Sequence, residues 1–222
     1  MPGPTARALP WGPLTACLVA GLLIMMVPAA ATAGLGVDNI VNLARIVMLA
    51  GALGVAFLLD DPAASTTAVL PVPRLARIAV RGLLAVPVLA GWWALTLAAA
   101  HLAVAAEVRP AVPALTLTVE AAALVCVAFA LAGIRRGGAA GTVGGIVAAP
   151  LTLVLVLLLQ FLPDGWSLFV GAGDPRWREA HVIWSVLAGS ALLASGLLAH
   201  EPTSRRATTR PAPQPVGAGV RR

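Results

Sequence analysis

Asp60 and Asp61 stand side by side, followed by Arg74, Arg77 and Arg81 at i, i+3 and i+7, in the stretch "FLLDDPAASTTAVLPVPRLARIAVRG" from Phe57 to Gly82. Adjacent carboxylates invite a metal-diphosphate reading, but a D-D-x-x-D arrangement needs a third acid where this chain has Ala64. Two other constellations hold ionisable groups. Arg45 and Glu120 lie within long apolar runs, and Trp177, His181 and Trp184 recur at i, i+4 and i+7 after Asp174-Pro175. Nucleophilic chemistry finds little support. "ASG" around Ser195 has the form of part of an intramembrane serine protease site, yet His200 follows on the same segment and faces another way, while His101 and His181 sit near the outer ends of theirs.

These residues are positioned by a very apolar chain. Of 222 residues 59% are hydrophobic and 11% charged, too few polar groups to cover a water-soluble core. In lipid, helices and closed barrels alone satisfy every backbone N–H and C=O, and the continuous, non-alternating runs here favour helices. Six spans are expected: Trp11 to Ala33, Asn39 to Leu59, Ala79 to Ala105, Pro113 to Ile134, Ala139 to Leu162 and His181 to Ala199. Ala31 and Ala33 imitate a signal-peptidase site after the first run, but the run is long for a signal peptide and is read as a retained span.

The fifteen basic residues are all arginine, so no Walker-type lysine or Schiff base is available and an ATP-driven process would need ATP bound by a partner. With the N-terminus inside, Arg7, Arg74, Arg77, Arg81, Arg135, Arg136, Arg205, Arg206, Arg210, Arg221 and Arg222 fall on the inner face. Arg109, Arg176 and Arg178 fall outside. That bias gives an N-in, C-in bundle. The arginines flank hydrophobic runs without interleaved aromatics, which speaks for topology and against nucleic acid. The expected organisation is a six-span domain over 1–200, with an inner loop at 60–78 and an outer loop at 163–180. A basic, proline-rich and disordered cytoplasmic tail should follow over 201–222. Cys17 and Cys126 lie in apolar runs without metal-type spacing and read as small buried hydrophobes.

Asp61-Pro62 has the form of a helix start, opening a short segment "PAASTTAVL" that Pro71 and Pro73 end. A second helix then begins near Pro73 with its three arginines on one face. Two readings stand: a basic border holding lipid head groups, or a knob that docks a cytoplasmic protein, with Asp60 and Asp61 as exposed acceptors. In the outer loop, Asp174-Pro175 is expected to cap a helix on which Trp177, His181 and Trp184 form an aromatic face, as an interfacial belt or as a gate. Arg45 and Glu120 lie at similar depth, and an ionisable group there needs a partner, so mutual pairing is expected. The pair is a structural lock or part of a transport pathway, and Asn39 and Asn42 are candidates to complete its network. Gly137, Gly141 and Gly145 form a small-residue track at the start of the fifth span.

"LLDDPAASTTAVLPVPRLARIAVR" with "DPRWREAHVIW" resembles the small permease-like membrane subunits of actinobacterial ABC export systems, and the six-span plan is similar to the type-2 ABC-transporter permease class. The resemblance implies that Asp60, Asp61, Arg74, Arg77 and Arg81 belong to a coupling element touching a cytoplasmic ABC ATPase. It also implies a homodimer or a pairing with a related permease subunit. The alternative is a non-transporting membrane scaffold or accessory protein whose inner loop binds lipid.

Overall fold

A computed structural model describes residues 11–31, 34–58, 60, 74–134, 144–163 and 166–199, without the side chains of residues 74, 75, 77, 78 and 199. Among them are six α-helices: α1 (Trp11–Ala30), α2 (Val37–Ala56), α3 (Arg74–Ala103), α4 (Ala114–Ile134), α5 (Gly144–Gln160) and α6 (Trp177–Ala199). A 3-10 helix, Ala106–Ala111, links α3 to α4. The short helix expected over "PAASTTAVL", Asp61, Gly137, Gly141 and the tail 201–222 lie outside the described residues.

The fold is all-α, and α1, α2, α4, α6 and the Ala79–Ala103 part of α3 are long and apolar enough to cross a membrane. At 17 residues α5 is shorter, rising about 26 Å at 1.5 Å per residue. Large apolar side chains such as Leu23, Leu83, Leu95, Leu157 and Leu193 point outward, while Arg45, Glu120, Thr96, Thr152 and His181 are buried. Water would penalise that inside-out distribution, whereas lipid favours it. The chain is a multi-pass membrane protein. Three of the hydroxyls in its helices show the closure that lipid requires: Thr96 donates to the Trp92 carbonyl, Thr152 to Ala148 and Ser195 to Ala191.

The second helix is the hub. It packs against α1, α3, α4 and α5, while α4 makes its broadest contact with α6. Two tryptophans fix α3 across this arrangement. Trp92 Nε1 donates to the Leu18 carbonyl at 2.7 Å, and Trp93 Nε1 donates to Thr118 Oγ1 at 2.9 Å. The Trp92 ring fits because Gly51 has no side chain, since a methyl there would lie 2.8 Å from the indole. At one end of the bundle, Leu35 bridges Val104 in a single parallel β-pair, reached through Gly34 at φ 59°.

Two helices start close to where the sequence places them, near Pro73 and just after Asp174-Pro175. α3 begins at Arg74, so the arginine-bearing turns and the membrane segment form one helix of 30 residues. α6 begins at Trp177, because Asp174 Oδ1 accepts the Arg176 N–H at 2.8 Å and the Asp174 carbonyl accepts the Trp177 N–H. Asp174-Pro175 therefore opens α6 in the manner of a capped helix start.

Candidate functional site: a buried charge cluster and an inner clamp

Arg45 comes from the middle of α2 and Glu120 from the second turn of α4, and the contact between these two helices brings them together. Arg45 Nε donates to Glu120 Oε2 and one terminal nitrogen donates to Oε1, both at 2.9 Å. This is the two-pronged geometry that a planar guanidinium makes with a carboxylate. The same terminal nitrogen donates to the Val170 carbonyl at 2.8 Å, which ties the 166–176 segment to the pair. Glu120 is 0% exposed and Arg45 9%, so the pair is held away from water and each group is the other's charge partner.

His181 completes the cluster. It is 7% exposed, its Nδ1 lies 2.6 Å from the Trp177 carbonyl oxygen, and its Nε2 lies 3.1 Å from Glu120 Oε1. The approach of Nε2 is too oblique for a hydrogen bond, and this nitrogen has no other partner. The rings around the guanidinium are also fixed. Phe169 and Trp177 lie 5.3 and 5.8 Å from the Arg45 central carbon, within cation–π range.

The expected aromatic face exists but is turned inward. Trp184 is fully buried, donates Nε1–H to the Leu168 carbonyl at 3.2 Å and meets Phe169 edge-on, while the Trp177 and His181 rings lie 4.4 Å apart, tilted by 40°. The spacing identified a face, and the buried charge on α4 decides which way it points: an imidazole can serve Glu120, whereas lipid offers it nothing. Asn39 and Asn42 are exposed on α2 and stand outside the network. Asp38, at the start of α2, instead accepts the Ala172 N–H at 3.1 Å and holds the loop before α6. That role follows from proximity in the fold and left no trace in spacing.

At the opposite end of the bundle, Asp60 is half-buried and Arg81 is 7% exposed. Asp60 Oδ1 accepts the Gly145 N–H at 2.7 Å, and Arg81 donates to the Asp60 carbonyl oxygen at 3.2 Å. The aspartate expected as an exposed acceptor thus caps the start of α5, where unpaired N–H groups and the positive end of the helix dipole favour a carboxylate. Gly145 makes this approach possible, because a methyl there would meet Phe57 Cδ1 at 2.5 Å and Asp60 Oδ2 at 2.6 Å. Arg74 and Arg77 lie in the first turns of α3, with side chains that the structure does not describe.

Among the described residues, no three His, Cys, Asp or Glu side chains gather as a metal site, and Cys17 and Cys126 are free and partly buried. One cluster fastens α2 to α4 and brings His181 of α6 alongside, and the other fastens the end of α2 to α3 and α5. Compared with known protein families, characterised proteins and solved structures, the chain matches none.

Proposed function

We propose that this chain is the membrane-spanning permease subunit of an ATP-driven exporter, worked through its loop at 60–78 by a separate cytoplasmic ATPase. In this reading α5 crosses the membrane as well, as the fifth of six spans. Its rise of about 26 Å falls a few ångströms short of the ~30 Å hydrocarbon core, a mismatch that local thinning absorbs. Both termini are then inside, in keeping with the arginine bias. The subunit works as a homodimer or beside a related permease subunit, in the cytoplasmic membrane of a bacterium, and its ATP is bound by the partner.

One observation carries the reading: the base of the loop is clamped to the bundle. Asp60 holds Gly145 at the head of α5, and Arg81 on α3 holds the Asp60 carbonyl. A push on a loop anchored in this way passes into two helices, as a coupling element requires. A border that only binds lipid head groups would leave Arg81 exposed, and Arg81 is buried.

The test is to purify the tagged chain from native membranes in mild detergent and assay the preparation for ATP hydrolysis. Stoichiometric co-purification of an ATP-binding subunit whose hydrolysis responds to the chain is the expected result. A chain that purifies without any nucleotide-binding partner, while stably folded, supports the scaffold alternative instead.

A further inference from the structure

The hydrogen bonding of His181 is not closed by the residues around it. Nδ1 lies 2.6 Å from the Trp177 carbonyl oxygen, which accepts and never donates, so Nδ1 carries a proton. That leaves Nε2 buried, 3.1 Å from Glu120 Oε1, without a hydrogen bond. In a singly protonated ring this nitrogen presents a lone pair to a carboxylate oxygen, two acceptors facing each other away from water. A second proton between them turns the contact into a charge-assisted attraction, after a small rotation that brings the N–H into line. Glu120 is the poorer seat for that proton, because both its oxygens already accept from Arg45.

The geometry points to a proton-binding site between His181 Nε2 and Glu120 Oε1. When it is occupied, the cluster holds a guanidinium, a carboxylate and an imidazolium, with the Phe169 and Trp177 rings beside the guanidinium. The groups that face the imidazole are Glu120 from α4 and, through it, Arg45 from α2. The segment before α6 contributes the Val170 carbonyl, while its Asp174 and Arg176 pair with each other at the rim. Arg178 and Glu179 on α6 are exposed, His101 lies in the last turn of α3, and Asp38 on α2 holds Ala172.

The consequence concerns α6, which meets the rest of the bundle chiefly through α4. With the proton bound, the first turns of α6 are drawn to Glu120. Without it, that contact becomes repulsive, so proton occupancy sets how firmly α6 is seated. The sign is fixed by the chemistry: the hold is present at low pH and is lost as pH rises. The inference stands whether or not the chain is a permease.

The experiment uses the full chain in lipid nanodiscs, labelled with ¹⁵N-histidine in a His101→Gln, His200→Gln background and followed from about pH 5 to about pH 9. The expected spectra show Nδ1 protonated throughout and Nε2 protonated at the acid end, losing its proton as pH rises. The unfolding temperature should fall in step, and His181→Gln should flatten that fall. A ring with bare Nδ1, or with bare Nε2 across the whole range, overturns the proposal. So does a stability profile that His181→Gln leaves unchanged. Should His181→Gln not fold, the spectra of the unsubstituted residue decide alone.

Discussion

Asp60 and Gly145 are separated by 85 residues, yet the aspartate carboxylate accepts the glycine N–H at 2.7 Å. This bond joins the end of α2 to the head of α5, and it exists because Gly145 lets the backbone come within reach. Gly145→Ala places a methyl 2.8 Å from Phe57 Cα, a backbone atom that cannot swing aside. The substitution should destabilise the protein by about 1–3 kcal/mol, the usual cost of overpacking. A denaturation midpoint within error of the wild type would show that the two helices part easily at this point.

Breaking the Arg45–Glu120 pair strands a charge, whereas removing both partners does not. Glu120→Gln should therefore destabilise more than the double variant Arg45→Gln, Glu120→Gln, with a coupling of about 1–3 kcal/mol. A double-mutant cycle on unfolding in detergent measures it. Purely additive effects would mean that the pair contributes nothing as a pair.

Asp174 lies outside the spans, and its hydrogen bonds from the Arg176 side chain and backbone, aided by the arginine charge, hold its carboxyl below the usual carboxylate range. A depressed carboxyl stabilises the folded state above the ordinary carboxylate range, and that contribution is lost as pH falls through the lowered value. Acid titration of the unfolding temperature, from about pH 5 downward, should thus show a shallower decline in Asp174→Asn than in the wild type.

How much of this was legible in the sequence differs from residue to residue. Arg45 and Glu120 were readable as partners because the cost of charge in lipid leaves them few alternatives and their depths agree. Asp174-Pro175 was readable as a helix start because capping is local. His181 was placed on the right face, but spacing along one helix says nothing of which neighbour that face meets, so its proximity to Glu120 was hidden. Asp60 was misjudged as an exposed acceptor for the same reason: its partner is a backbone N–H at the head of another helix, and a glycine in a small-residue track does not announce what approaches it. The span assigned to α5 was expected over Ala139–Leu162, whereas its described helix covers Gly144–Gln160.

The proposed six-span topology puts both the loop near Thr66 and the tail after Glu201 in the cytoplasm. With Cys17 and Cys126 replaced by alanine, single cysteines at these two positions should resist an impermeant thiol reagent in intact cells and react after permeabilisation. Labelling of either one in intact cells would reverse the orientation.

The central claim is that the clamped inner loop engages an ATPase, and paired substitutions at its acidic residues test this most directly. Asp60→Asn keeps an oxygen to accept the Gly145 N–H, while Asp60→Ala with Asp61→Ala removes both the clamp and the acidic pair. Each is to be purified from native membranes and assayed for co-purification of the proposed ATP-binding partner and for stimulated hydrolysis. The account predicts that the double alanine variant inserts in the membrane but loses the partner or its stimulation, and that Asp60→Asn retains both. Full association and full stimulation in the double alanine variant would contradict it.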